Sequence, residues 1–561
     1  MILSGRNCLK FIGLAAALVL FDDSIIANMC RMFSFAGEIV IKFPGIPALL
    51  QFVLYALFVH IVQSINQFSF LLQIILYVFF IISAFNPEKY SRTVFSGLVF
   101  ISFLIDYAFR SVTGEAVSLS DMDMMIENVS FTGRSIGMFS SSVMLAALKA
   151  AVVAFFYWLP PQAEKYKKIE VVAYYLPFLF AIPLINMGVK DFDEFSCVIP
   201  AVPRIAVYSG ISVFSPMRYG IGSEVVLPLK EKGKIRNIVL VIDESVSSDF
   251  VNAENKLDLL LFRDYGKYMI DFSPAHSAGN CTRASRSYLR FAVDPENLKA
   301  KGIRVLDMPN IWAYAKKAGY QTYLIGYSPI NTDYLSHNEI GMIDHYIGMG
   351  DSEYGTGLDI ELGKIVKEKI LSDDNYKLMI VTKFGSHFSY DNDYPKDKKV
   401  YAPTVFDGGE FTKEKLLNSY KNALKWTTDG FFGSLFEKNK LDLKDTVIIY
   451  TSDHGQNLTS YQDFILKIPN THCSPANPPD KEFAVPLLLL TDNDDIKKRI
   501  GSSRGGQASH FNIVPTVLDL MGYEKTKTES LFSDDLKCYP AFYNDPYGRF
   551  GKLKVKEFDC K

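Results

Sequence analysis

Val447-Ile448-Ile449-Tyr450-Thr451-Ser452-Asp453-His454-Gly455 begins apolar and ends polar. An apolar run of strand length, entered from Asp445 and left through Gly455, reads as a parallel strand buried on both faces. Such a strand ends in a loop at the carboxyl edge of an α/β sheet, where sites gather. Here it brings a carboxylate and an imidazole to that edge. An earlier stretch has the same form: Arg236-Asn237 leads into Ile238-Val239-Leu240-Val241-Ile242 and then Asp243-Glu244-Ser245. A solvated turn would account for one Asp-His pair, but two strands that each end in acids point to a metal site.

Working outward, Gln321 to Tyr327, Leu378 to Thr382 and Val485 to Leu490 are expected to be further buried strands. Ile311 to Ala318, stopped by Gly319, reads as a helix. In Lys413 to Lys438, Leu417, Tyr420, Leu424, Phe431 and Leu435 recur at helical intervals. This alternation implies an α/β domain with a mainly parallel sheet sandwiched by helices.

At 561 residues the chain is too long for one ordinary core. A net charge of -2 implies no polyanion-binding surface, so nucleic acid is not an expected partner. From Phe43 to Pro87 there is no Asp, Glu, Lys or Arg, a length that covers two bilayer crossings of roughly 20 residues each. Thr93 to Phe109, Ser140 to Leu159 and Val171 to Val189 add three more. A sixth crossing would need Cys8 to Phe21, which Asp22 and Asp23 cut short. Basic loops at Lys89 and Arg92 and at Lys165, Lys167 and Lys168 read as cytoplasmic, and the acidic loop of Glu115, Asp121, Asp123 and Glu127 as external. The expected organisation is a helical transmembrane domain over 1–190, a linker over 191–235 marked by Pro200, Pro203, Pro216 and Pro228, and an external catalytic domain over 236–561. Lys149 falls inside a predicted span.

Cys197, Cys281, Cys473, Cys538 and Cys560 would face an oxidising compartment and could form two disulfides with one cysteine left over. Spacing does not give the pairing. No CxxC occurs, which argues against cysteine-based metal binding.

Asn280-Cys281-Thr282-Arg283-Ala284-Ser285 adds a hydroxyl to the two strand ends. Taken alone, Thr282 reads as a helix cap or loop hydroxyl. Threonine becomes a competent nucleophile when a metal lowers its pKa, so a nucleophilic Thr should itself be a ligand. Glu244, Thr282, Asp453 and His454 would make a four-coordinate oxygen and nitrogen set suited to zinc. His387, His472 and His510 stand at loop positions as candidates to hold an oxyanion, protonate a leaving group or complete a second metal position.

In their order, Asp243-Glu244-Ser245, Thr282, Gly385-Ser386-His387 with Tyr394-Pro395, Asn418-Ser419-Tyr420-Lys421-Asn422 and Ser452-Asp453-His454-Gly455 resemble the phosphoethanolamine transferases. These include lipid A modifying enzymes and belong to the alkaline phosphatase superfamily, with a sulfatase-like domain. The resemblance implies that Thr282 attacks the phosphorus of phosphatidylethanolamine at a zinc site, releases diacylglycerol and passes phosphoethanolamine to a glycolipid or glycan. It also implies a monomer in the bacterial inner membrane with its catalytic domain in the periplasm, and places His387 and His472 on the substrate side. Two departures stand out. Val246-Ser247-Ser248-Asp249 replaces an expected Arg, and the cysteines that bracket the nucleophile are reduced to Cys281, with Phe291 where a partner is expected. Competing expectations are a phosphoglycerol transferase resembling lipoteichoic acid synthase, a sulfatase matured at Cys281, and an inactive membrane scaffold or sensor.

Overall fold

The computed structural model describes residues 10–17, 80–113, 117, 122, 125, 140–161, 201–214 and 224–560, the last with breaks at 299–304, 327–334, 349–355, 388–389, 410–411, 438–440, 459–471, 475–476, 501–506 and 544–552. It divides into two units, Met1–Pro216 and Met217–Lys561.

In the first unit, α1 (Lys89–Thr113) and α2 (Ser140–Trp158) contain two of the predicted spans. Val99, Phe103 and Tyr107 of α1 are buried with Ala146, Ala150 and Val153 of α2, small side chains that let apolar helices approach closely. Lys149 of α2 carries its charge over the Tyr107 ring, 5.9 Å from the centroid. Among the described residues one helix is long and apolar enough to cross a membrane, over Lys89–Ser111. The predicted span from Val171 to Val189 and most of Phe43 to Pro87 lie outside the described residues.

The stretch expected to be a linker is in part helical, as α3 (Ala201–Phe214). Four prolines marked it as a linker, and Pro203 falls in the first turn of α3, where a missing N–H is tolerated. Arg204 then anchors the helix by a buried ion pair with Asp106 of α1.

The second unit is built on β1 (Asn237–Asp243), β2 (Met269–Asp271), β3 (Ala275–His276), β4 (Gln321–Gly326), β5 (His345–Gly348), β6 (Lys377–Thr382), β7 (Thr446–Ser452), β8 (Ala484–Val485), β9 (Leu487–Leu490), β10 (Ala541–Tyr543) and β11 (Lys554–Lys556). Seven of these form one sheet in the order β2-β9-β7-β1-β6-β4-β5. From β7 to β5 every pairing is parallel, and β9 joins β7 antiparallel. Alternate residues feed opposite layers. Ile238, Leu240 and Ile242 of β1 pack with Ile311 and Trp312 of α5 (Ile311–Lys317) and with α8 (Ile513–Met521), α4 being Thr282–Tyr288. Val239 and Val241 face α6 (Leu358–Leu371) and α7 (Lys413–Leu435) on the other side. Helices on both faces explain why these strands are apolar throughout instead of alternating.

Register positions the site. Asp243 of β1 lies opposite Ser452 of β7, and Ile242 opposite Thr382 of β6, so all three central strands release their loops at one edge. The opposite layer is tied down by the chain entering the unit: Lys230 N donates to Gly522 O and Gly233 N to Met521 O. Gly522 ends α8 at φ 93°, and a Cβ there would stand 1.9 Å from Glu231 O. Gly522→Ala is therefore expected to destabilise the unit by about 2 kcal/mol or more. Gly357→Ala, where a Cβ meets nothing within 4 Å, should be close to neutral. Calorimetric melting of the full chain checks both, and equal midpoints for the two variants would contradict this account.

Candidate metal and nucleophile site

Beyond β1 the backbone turns sharply through Ser245, a non-glycine residue at φ 62°. The turn is held by Ser245 N donating to Asp453 Oδ1 (3.0 Å), Val246 N to Ser452 Oγ (2.7 Å) and the Tyr420 hydroxyl to Ser245 O (2.9 Å). So secured, the strained residue aims Glu244 across the sheet edge. Ser245 Oγ also donates to Glu244 Oε1 at 2.8 Å.

His454 follows Asp453 with its Nδ1 3.0 Å from Gly455 O. With Nδ1 turned to that carbonyl, Nε2 is the nitrogen turned toward the acids, the one a metal would take. Nε2 lies 3.6 Å from Glu244 Oε1 and 3.7 Å from Asp453 Oδ1. Thr282 opens α4 after Cys281 in extended conformation, and no side chain caps that helix. Its hydroxyl is 3.2 Å from His454 Nε2 and 3.4 Å from Glu244 Oε1. The helix-cap reading of Thr282 gives way to a hydroxyl placed among the acids.

One ligand atom from each of Glu244, Asp453 and His454 fits within a 4.8 Å span, all three residues being buried. Asp453 Oδ2 is buried without a hydrogen-bond partner, an acceptor that a cation would satisfy. Burial, and then the charge of Asp453, push Glu244 up to about 8. Burial works the same way on Asp453, but the His454 and Arg286 charges outweigh it and hold that group below the usual range. Near neutral pH the two carboxylates thus keep one proton between them, the condition of a metal site without its metal. The donor set and the orphaned oxygen fit a divalent cation.

Sequence reasoning missed the residues that brace these ligands. Arg286, one helical turn after Thr282, pairs with Glu244 Oε2 at 3.0 Å and Asp453 Oδ2 at 3.5 Å. The i to i+4 spacing from Thr282 was the available signal. Asp243 is buried against Lys383 and accepts from the Tyr450 hydroxyl at 2.7 Å. Lys383 also lies 3.7 Å from Asp359, which accepts from the amides of Phe384 and Gly385 at 2.9 and 3.1 Å. Gly385 sits at φ 64°, where a Cβ would stand 2.6 Å from Asp243 Oδ1. This buried network aims the Gly385-Ser386-His387 loop at the site.

The histidines separate. His472 stacks on His454 with centroids 4.3 Å apart, and His387 meets His472 edge to face at 6.1 Å. His510 is placed differently from expectation. Its Nδ1 is 3.0 Å from Ser285 Oγ and its Nε2 3.2 Å from Thr451 Oγ1, so both nitrogens are used in locking α4 to β7. Burial pushes it down to about 3, a neutral ring wedged in the core.

Cys281 is disulfide-bonded to Cys473, and Cys538 to Cys560. Two bridges form as the composition allowed, and Cys197 lies outside the described residues. The partner of Cys281 comes not from the region of Phe291 but from the segment of His472, which returns to the turn before Thr282. His276, Cys538 and Cys560 also cluster within 4.8 Å, but the sulfurs are committed to the disulfide.

The sulfatase family model matches residues 236–523, which takes in both strand ends, Thr282 and all three loop histidines. The chain belongs to the sulfatase family. Within this family it resembles the Kdo(2)-lipid A phosphoethanolamine 7''-transferase of Salmonella typhimurium, 26% identical over 198 residues, 33% of this chain and 32% of the relative. It also resembles the phosphatidylethanolamine transferase Mcr-2 of Escherichia coli, 28% identical over 148 residues, 26% of each chain. The alignments thus span about a third or less of those relatives' lengths. The integral membrane lipooligosaccharide phosphoethanolamine transferase A of Neisseria meningitidis shares the fold, with a TM-score of 0.60 at 16% identity over 93% of this chain and 96% of the other. These names bear out the resemblance drawn from the motifs of the sulfatase-family domain.

Glu244 gives a pH test. Its folded value, raised to about 8, lies above the ordinary 4.5. The stability it contributes is full below the ordinary value and is lost as pH rises through 8. The depressed His276, His472 and His510 affect stability only below about pH 6.5. From about pH 6.5 to 8 the metal-free protein should therefore lose up to about 1.4 kcal/mol per pH unit relative to Glu244→Gln. Urea unfolding of both proteins across that range decides, and a wild-type curve that does not fall relative to the variant refutes the protonated Glu244.

Proposed function

We propose that this protein transfers phosphoethanolamine from phosphatidylethanolamine to a cell-envelope glycolipid or glycan through a covalent intermediate on Thr282. The observation that carries this reading is the Thr282 hydroxyl 3.2 Å from His454 Nε2 and 3.4 Å from Glu244 Oε1, within a domain whose curated relatives are named as transferases of this group. Glu244, Asp453, His454 and Thr282 would hold zinc, which when bound lowers the pKa of the threonine hydroxyl.

Thr282 Oγ then attacks phosphorus, the bond from phosphorus to the glycerol oxygen breaks, and diacylglycerol leaves with a proton. In the second half an acceptor oxygen attacks the same phosphorus and the threonine oxygen is released. His387 and His472, ranged beyond His454, hold the non-bridging oxygens and carry protons to and from the leaving groups. Arg286 offsets the two buried acids and keeps Glu244 and Asp453 in place. Helix α1 and the disulfides support a membrane-anchored domain in an oxidising compartment, the periplasmic side of a bacterial inner membrane. There a monomer meets its lipid donor.

A formylglycine-dependent sulfatase reaction is disfavoured, because Cys281 is bonded to Cys473 and the neighbouring threonine faces the acids. Thr282→Ala is expected to reduce transfer about 10³-fold or more and to weaken zinc binding less than loss of Glu244, Asp453 or His454 does. The test compares envelope glycolipids by mass spectrometry from cells with wild-type, Thr282→Ala or no protein. A gain of one phosphoethanolamine in the wild type alone is expected. Gain of one glycerol phosphate, or equal modification by Thr282→Ala, would sink the reading.

A further inference from the structure

The segment that carries His472 is tied to the nucleophile turn four times. Cys473, directly after His472, is bonded to Cys281, directly before Thr282. Cys473 N donates to Asn280 O at 2.9 Å. Asn280 Nδ2 donates to Ser474 O at 3.0 Å and to Glu482 Oε2 at 2.8 Å. Glu482 accepts in turn from Ser474 N at 3.0 Å and from the Ser474 hydroxyl. The Glu482 side chain is buried, and its hydrogen bonds join the two segments. Cys473 itself sits at φ 59°, a conformation that a non-glycine residue keeps only when its surroundings impose it. These ties end in one contact, the His472 ring stacked on His454 at 4.3 Å.

We propose that the Cys281–Cys473 disulfide, with the Asn280, Glu482 and Ser474 bonds, is a positioning clamp that holds the His472 imidazole against the Thr282–His454 face, making transfer dependent on the oxidised state of this pair. The inference rests on the reading of Thr282 as nucleophile. No sulfur takes part in the reaction. The clamp acts through His472, whose ring needs a fixed place relative to the threonine oxygen, since a displacement of about 1 Å can cost on the order of 10²-fold in rate. Reduction breaks the sulfur–sulfur bond with two electrons from an added phosphine or thiol and leaves two thiols. His472 is then held by hydrogen bonds alone.

The test uses the zinc-loaded full chain in lipid nanodiscs, in wild type and in a Cys538→Ser, Cys560→Ser background where the clamp is the one described disulfide left. Non-reducing peptide mapping should first recover Cys281 linked to Cys473. Reduction with a phosphine should lower kcat about 10- to 100-fold with KM changed less than about threefold. Diethyl pyrocarbonate should modify His472 at least about tenfold faster, with His510 still protected, and reoxidation should restore both readings. Glu482→Gln should move in the same direction by a smaller factor. If the background variant does not fold, differential alkylation of wild type assigns each rate to the state of the pair.

Three results overturn the clamp: free Cys281 and Cys473 thiols in active protein, a reduced enzyme as fast as the oxidised one, or His510 losing protection together with His472, which marks general loosening. If oxidised wild type transfers nothing, the reading of function fails instead. The clamp then stands or falls on the mapping and on His472 protection.

Discussion

Two carboxylates, Glu244 and Asp453, buried side by side at the ends of adjacent parallel strands are the constraint on which the rest depends. Like charges in a dry place repel, and one guanidinium cannot neutralise both and also satisfy every oxygen. The surrounding structure answers this demand. Arg286 approaches from α4, His454 turns Nε2 toward both acids, burial raises Glu244, and Asp453 Oδ2 is left without a hydrogen-bond partner. A cation would resolve the conflict at once, and under the proposed function the threonine beside it would gain reactivity from the same source.

The second layer repeats the logic at one remove. Asp243 precedes Glu244 at the same strand end, and its charge is met by Lys383, which also serves Asp359. Burying so many charges adds little net stability, but removing one partner strands the others. What the arrangement supplies is placement. Asp359 takes the amides that shape the loop of His387, while Asp453 takes the amide that fixes the turn of Ser245.

Much of this was legible in the chain. The apolar runs ending in Asp243-Glu244 and Asp453-His454 gave the parallel sheet and its functional edge, because doubly buried strands leave an uninterrupted pattern. Thr282, His387 and His472 stood out as candidates, and the structure gathers Thr282 and His472 at His454, with His387 against His472. Contacts set by long-range return of the chain were not. Nothing local in Cys281 points to Cys473, and nothing in Lys383 points to Asp243 across the sheet. His510 misled for the opposite reason: a histidine before a helix looks available, whereas packing spends both of its nitrogens on Ser285 and Thr451. The prolines of residues 191–235 misled similarly, since a proline in a first helical turn leaves helix formation intact.

The return of His472 to the turn before Thr282 bears on the length of chain that leads to it. Gly455 N is bonded to Glu482 O at one end of the excursion and Cys473 to Asn280 O at the other, so the stretch between His454 and His472 is pinned where it leaves and where it comes back. Lengthening a segment with fixed ends costs only about 0.6 kcal/mol for each doubling. Because Gly455 and Cys473 are each held by their own bond, a change in the length of chain between them need not move His454 or His472.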